Sequence, residues 1–198
     1  MRSLTNNLKT ILNIFRTLFY SFIWNISFKE VGKGVDLDLK GNITVGKNFR
    51  LGKGVSLIVE KGASLSIGDN VYIGTNSYIK CYGGKLIIGD NVSINAHAFI
   101  NACGGVIINS DTRIGAKFVC IASNHIFSDR TTLMRKQGIS RKGIEIGSNN
   151  WLGANVTVLD GVKISDDNVI GAGAIVTKSI DRTGIYVGVP ATLAKELI

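Results

Sequence analysis

Eighteen apolar residues of this 198-residue chain fall on a six-residue beat, in six groups of three. The groups are Val45, Leu51, Leu57; Ile67, Ile73, Ile79; Ile88, Ile94, Ile100; Ile108, Ile114, Cys120; Ile146, Leu152, Val158; and Ile164, Ile170, Val176. Nine of the eighteen are followed directly by glycine, which predicts corners that need glycine's backbone freedom. One apolar residue in six is too sparse for a helix face and too regular for chance. It suits a short strand that points one side chain inward, turns a corner and repeats. Hexapeptide periods of this kind belong to parallel β-helices. Three sides make one triangular coil, so the sequence predicts an all-β solenoid of about six triangular coils.

Every departure from the beat follows the third member of a group. Ten residues separate Leu57 from Ile67, nine Ile79 from Ile88, eight Ile100 from Ile108, and 26 Cys120 from Ile146. All insertions therefore leave from one corner of the prism, and insertions gathered on one face of a solenoid mark its working face. The longest, residues 123–143, contains His125 together with Arg130, Arg135, Lys136, Arg141 and Lys142. That cluster reads either as a solvated surface or as a place for a phosphorylated ligand or an anionic acceptor near the loop. The rest of the +9 net charge is scattered, without the aromatic and lysine pattern of a strand-binding platform, so no nucleic-acid partner is expected. Three cysteines show no paired spacing, and Cys120 holds an inward position. A disulfide framework is not expected, and a reducing, cytoplasmic setting is.

Residues 1–30 follow a different period. Leu4, Leu8, Ile11, Leu12, Phe15, Leu18, Phe19, Phe22, Ile23 and Ile26 recur at three and four, opposite Arg2, Lys9, Asn13, Arg16 and Asn25. This predicts an amphipathic helix, and Arg16 interrupts the run too early for a membrane span. The helix is expected to cap the open first coil or to pack on a neighbouring subunit. Peripheral contact of residues 1–26 with an anionic membrane is the alternative. The central domain runs over residues 31–190, and residues 191–198 are expected to form a short C-terminal helix.

The beat, the looped-out His125 and the run Asn150-Trp151-Leu152-Gly153-Ala154-Asn155-Val156-Thr157-Val158 together resemble the hexapeptide-repeat acetyltransferases. Within them the likeness is to galactoside, maltose and O-antigen or capsular-sugar O-acetyltransferases, over residues 43 to 198. The resemblance implies a left-handed β-helix, a homotrimer with sites between adjacent subunits, acetyl-CoA as donor and a carbohydrate acceptor. It also implies roles. His125 matches the general base, Ala154 the residue whose backbone N–H steadies the oxyanion, and Asn95 and Trp151 the residues that face the acceptor. Ala154, Ala172, Thr177 and Lys178 match the coenzyme A wall. Cys103 stands where the galactoside pattern has an acceptor-gripping Asp, and Thr192 where a basic residue is expected, with Lys195 placed to take over a phosphate contact.

Chemistry agrees with a histidine in the loop. A sugar hydroxyl is scarcely ionised at neutral pH, and a base with a pKa near 6.5 can take its proton during attack on a thioester. The other histidine, His97, sits in a regular hexad and reads as a corner residue. Two histidines fall short of the three-histidine zinc set of the γ-class carbonic anhydrases that share this architecture, so no metal is expected. The function expected is acetyl-CoA-dependent O-acetylation of a sugar in bacterial surface-polysaccharide assembly. N-acetylation of an amino-sugar nucleotide, or a non-catalytic β-helical interaction module, are the alternatives.

Overall fold

Three sheets form the three sides of the predicted prism in the computed structural model, which describes residues 2–197 and side chains from Leu8 onward. They hold nine, seven and six strands among the described residues, and every pairing between coils is parallel. On side I, Val31, Leu51, Ile73, Ile94, Ile114, Leu152 and Ile170 stack in one column. Side II stacks Leu37, Leu57, Ile79, Ile100, Cys120, Val158 and Val176. Side III stacks Val45, Ile67, Ile88, Ile108, Ile146 and Ile164, closed by a bridge to Ile180. The eighteen beat positions are thus the inward column of each side. The solenoid makes about seven turns rather than six, because Val31 and Leu37 open a coil below Val45. The eight residues from Leu37 to Val45 leave the beat at the same corner, II–III, as the other insertions.

The core is this stack together with a second column of buried side chains two residues before it, among them Val55, Leu65, Val71, Leu86, Val92 and Val106. Ile73, Ile79, Ile94 and Ile100 are wholly buried, and each fully buried aliphatic side chain stabilises the fold by about 1.5–3 kcal/mol. On side I the second inward column turns polar at Thr112, Asn150 and Asn168, and its hydrogen bonds are made. Asn168 N–H donates to Asn150 Oδ1 (2.8 Å), Asn150 Nδ2 to Ser165 O (2.9 Å) and Thr112 Oγ1 to Gly147 O (2.9 Å).

The corners divide their work differently from the sequence expectation. The glycines that follow the beat are not the residues with positive φ. At corners III–I that conformation belongs to Asn48, Asn70, Asn91, Asp111, Asn149 and Asp167, with φ between 53° and 62°. Asn and Asp tolerate the left-handed region best after glycine. Their side chains form a ladder: Asn48 donates to Asn70 (2.9 Å), Asn70 to Asn91 (3.0 Å) and Asn91 to Asp111 (2.9 Å). The beat glycines serve close stacking instead. A Cβ on Gly52 would lie 2.5 Å from Thr75 N, and one on Gly115 would lie 2.5 Å from Ala154 N.

Helix α1 (Arg2–Trp24) ends at Asn25, whose φ of 51° closes it. It caps the first coil, as expected, but with its polar face. Arg16 Nε donates to Val31 O (2.7 Å), Tyr20 Oη to Val35 O (2.6 Å), and Val31 N–H to Thr17 Oγ1 (3.0 Å). Asn13 donates through Nδ2 to Glu30 Oε1 (3.2 Å) and accepts from Arg16 at its Oδ1. The end of a β-helix exposes unpaired backbone groups, and these side chains satisfy them. The apolar stripe is left facing outward, with Phe22 88% exposed. Leu4 of the predicted stripe and Arg2 opposite it lie outside the described side chains.

The expected C-terminal helix is absent from the described residues. Thr192–Glu196 is a strand, antiparallel to Gly184–Val187 at the top of side I. An exposed strand edge above the last coil offers backbone partners to this segment, and they outweigh the helical preference of Leu-Ala-Lys-Glu. Met1 and Ile198 lie outside the described residues.

Candidate active site

The 123–143 excursion is a hairpin. Asn124–His125 pairs antiparallel with Ile139–Ser140, His125 opposite Ile139, and a short helix α2 (Met134–Gln137) closes the tip. The tip is tied internally: Asp129 accepts from Thr131 N–H (2.8 Å) and Oγ1 (2.7 Å), while Gln137 Nε2 donates to Asp129 O (2.8 Å) and Thr132 O (2.7 Å). The hydroxyls of Thr132 and Thr131 hold the Asp129 carboxyl down to about 2. At its base, Lys142 N–H and Gly143 N–H both donate to Asp160 Oδ1 (3.0 and 2.9 Å). His125 is exposed and projects from edge II–III of the fifth coil.

The other site residues fall into two further groups. Asn95, Ala154 and Ala172 sit at edge I–II, and all three are exposed. The Ala154 and Ala172 N–H groups donate no hydrogen bond among the described residues. Asn95 occupies the corner position that is glycine in the coils on either side, Gly74 and Gly115, and its side chain makes no hydrogen bond among the described residues. It is not the left-handed residue of its corner. His97 is, at φ 62°, which gives His97 the structural role expected of it. Trp151 projects outward from side I between Arg113 and Val169, 60% exposed. Thr177 and Lys178 lie, exposed, on edge II–III with the His125 hairpin.

One chain therefore does not assemble the set. Edges I–II and II–III are the two ends of side II, roughly 15–20 Å apart at about 3.3 Å per strand residue. Between them side II presents apolar surface, including Tyr78 and Phe99 stacked at 5.7 Å. Lys195 falls in neither group: it pairs with Ile185 at the top of side I, because its segment is a strand and not a helix.

All three cysteines are buried. Burial pushes the Cys81 and Cys120 thiols up, away from the reactive thiolate. Among the described residues no group of three or more His, Cys, Asp or Glu side chains is placed to hold a metal ion. A groove of about 260 Å³ escaped the sequence reading. It opens at the hairpin base, floored by Gly104, Gly105, Gly143 and Gly161 and flanked by Lys85, Lys142 and Lys163. The lysines are too far apart in sequence to read as a cluster, and only the coil register unites them.

The family described as bacterial transferase hexapeptide (six repeats) matches residues 143–178, and the hexapeptide repeat of succinyl-transferase matches 42–81 and 64–102. A Staphylococcus aureus protein named as an acetyltransferase is 44% identical over 64 residues, 32% of either chain. The chain thus matches about a third of the length of such curated relatives. Among solved structures, a galactoside acetyltransferase in complex with coenzyme A is 30% identical, with a TM-score of 0.60 over 68% of this chain and 64% of that one. The polySia-specific acetyltransferase NeuO is 29% identical, with a TM-score of 0.53 over 85% and 80%. By repeat, register and neighbours, the chain is a hexapeptide-repeat protein built on the left-handed β-helix of the hexapeptide-repeat acetyltransferases.

Proposed function

We propose that the protein transfers the acetyl group of acetyl-CoA to a sugar hydroxyl, at sites completed between subunits of a homotrimer. The observation that carries the reading is the division of the site. An exposed histidine on a tied hairpin stands at one edge, and unengaged backbone N–H groups with Asn95 stand at the other. Three copies joined through their flat sides bring edge II–III of one against edge I–II of the next, in a closed ring. The galactoside and polySia acetyltransferases that share this fold carry carbohydrate acceptors in their names and support a carbohydrate acceptor here.

His125 takes the proton of the acceptor hydroxyl as its oxygen attacks the thioester carbonyl. The Ala154 N–H donates to the oxygen on which charge develops. Collapse of the tetrahedral intermediate expels the coenzyme as thiolate, which recovers the proton from the imidazolium. Asn95 and Trp151 orient the acceptor, and Ala172, Thr177 and Lys178 line the coenzyme. Buried thiols fit direct transfer rather than a cysteine-bound acyl intermediate. The setting is assembly of a bacterial surface polysaccharide, in the cytoplasm.

The test is thiol release from acetyl-CoA by purified protein against free sugars, nucleotide sugars, lipid-linked oligosaccharides and amino-sugar nucleotides. Turnover with a hydroxyl acceptor supports the reading. Turnover with amino-sugar nucleotides alone replaces it with N-acetylation, and no turnover with any acceptor leaves an interaction module.

A further inference from the structure

The outward face of α1 is out of keeping with a surface that meets only water. Leu8, Phe15, Leu18, Phe19 and Phe22 are each at least 58% exposed. With their neighbours on the same face they present on the order of 1,000 Å² of apolar surface, against the few hundred Å² of a typical soluble monomer's largest patch. The helix has no freedom to turn this face inward. Its opposite face is held by the Arg16, Thr17 and Tyr20 hydrogen bonds to the first coil.

Those bonds also fix where the apolar face looks. Gly32 N–H and Asp36 N–H donate upward to the next coil, at Leu51 O and Val55 O. Val31 N–H, Val31 O and Val35 O are the downward groups, and α1 takes them. The helix therefore lies across the end of the solenoid, and its apolar face looks along the solenoid axis. Copies joined through the flat sides leave it uncovered.

Charge selects the occupant. Helix α1 contains Arg2, Lys9 and Arg16 and no acidic residue; Arg16 is engaged with the first coil. Lys29 lines the groove beside Ile14 and Leu18, at the border of the apolar face. Across residues 1–40 six basic residues stand against three acidic ones. Of these, Glu30 is engaged by Asn13 and Asp38 by Lys40, at 3.2 and 2.9 Å; Asp36 accepts from Ser56 at 3.3 Å. No helix among the described residues is long and apolar enough to cross a membrane. A wide apolar arc bordered by cations is the pattern of a helix that lies in a lipid interface.

We infer that α1 docks its apolar face on the surface of an anionic lipid bilayer, standing the solenoid on end. Aromatic side chains enter the headgroup boundary, and Lys9 and Lys29 meet lipid phosphates. This stands apart from acetyl transfer, because docking needs no turnover.

Flotation of the full chain with phosphatidylcholine vesicles, with and without phosphatidylglycerol, tests it. The protein is expected to float with the anionic vesicles and far less with neutral ones. The paired change Phe15→Glu and Phe22→Glu should reduce flotation at least tenfold, with melting temperature and solution mass unchanged. Phe22→Ser, at a site too exposed to disturb folding, should give a smaller loss in the same direction. Absence of flotation by the unaltered chain overturns the inference. So does a fall in solution mass on Phe15→Glu and Phe22→Glu, which would show that a second copy of the chain covers this face.

Discussion

His125 and His97 stand in opposite backbone settings, one on an exposed hairpin and the other holding a left-handed corner. His125→Ala should lower acetyl transfer at least about a hundredfold, the usual scale for loss of a general base, with coenzyme A binding retained by calorimetry. His97→Asn should leave activity and stability almost unchanged, because asparagine accepts the left-handed conformation at φ 62°. His97→Val should destabilise the fold by more than about 1 kcal/mol in denaturant titration. A larger activity loss from His97→Asn than from His125→Ala would reverse the assignment. Asp129 adds a pH dependence of known sign. Its folded carboxyl is held at about 2, below its ordinary 3.8. The order it lends the hairpin tip is therefore complete above about pH 4 and lost as pH falls towards 2. Amide exchange over residues 129–137 should be flat from pH 5 to 8 once corrected for intrinsic rates, and rise only as pH falls below about 4.

Among the elements, corners and caps limit what the sequence could reveal. The eighteen beat positions were legible as inward columns, because a buried side chain at the same point of each side leaves an apolar mark every six positions, but Val31, Leu37 and Ile180 and the second column two residues before the beat were not. The glycines were legible as corners but not as to their purpose. A sequence shows that a Cβ is missing, and only the stacked coils show which backbone it would strike. Gly115→Ala places that carbon 2.5 Å from Ala154 N. It should lower stability by roughly 1–3 kcal/mol and, on the proposed mechanism, reduce turnover by moving the Ala154 N–H. The helix was legible as amphipathic, yet its two faces exchanged expected roles. Open strand ends attract hydrogen-bonding side chains more specifically than they attract leucine. Tyr20→Phe removes the donor to Val35 O and should cost about 1–3 kcal/mol, visible as a drop of several degrees in melting temperature. A melting temperature unchanged within error would mean that the cap contributes no stability.

For the whole molecule, the site is the part least legible in one sequence. Asn95, Ala154 and His125 were each singled out, but the structure sets them at two ends of side II, and no pattern within one chain shows how copies join. Light scattering should return about three times the 21.2 kDa chain mass. Mixing His125→Ala protein with Gly115→Ala protein, under conditions that exchange subunits, should restore part of the activity lost by each, since mixed rings contain sites with neither defect. A fully active monomer would dismiss the shared site.

The position of the hairpin within the stack has a consequence for reach. It leaves the fifth coil, while α1 closes the first, and adjacent coils are spaced by the strand separation of about 4.8 Å. The solenoid is thus a ruler roughly 20 Å long between the capped end and the histidine. With α1 docked on a bilayer as inferred and His125 as the proposed base, an acceptor hydroxyl held at about that standoff would be presented to the histidine, and one held flush with the headgroups would be passed over. Removing or adding one coil between them would move the threshold by a single sugar's length, so the count of repeats, rather than any pocket side chain, would choose how far along a growing glycan the acetyl group is placed.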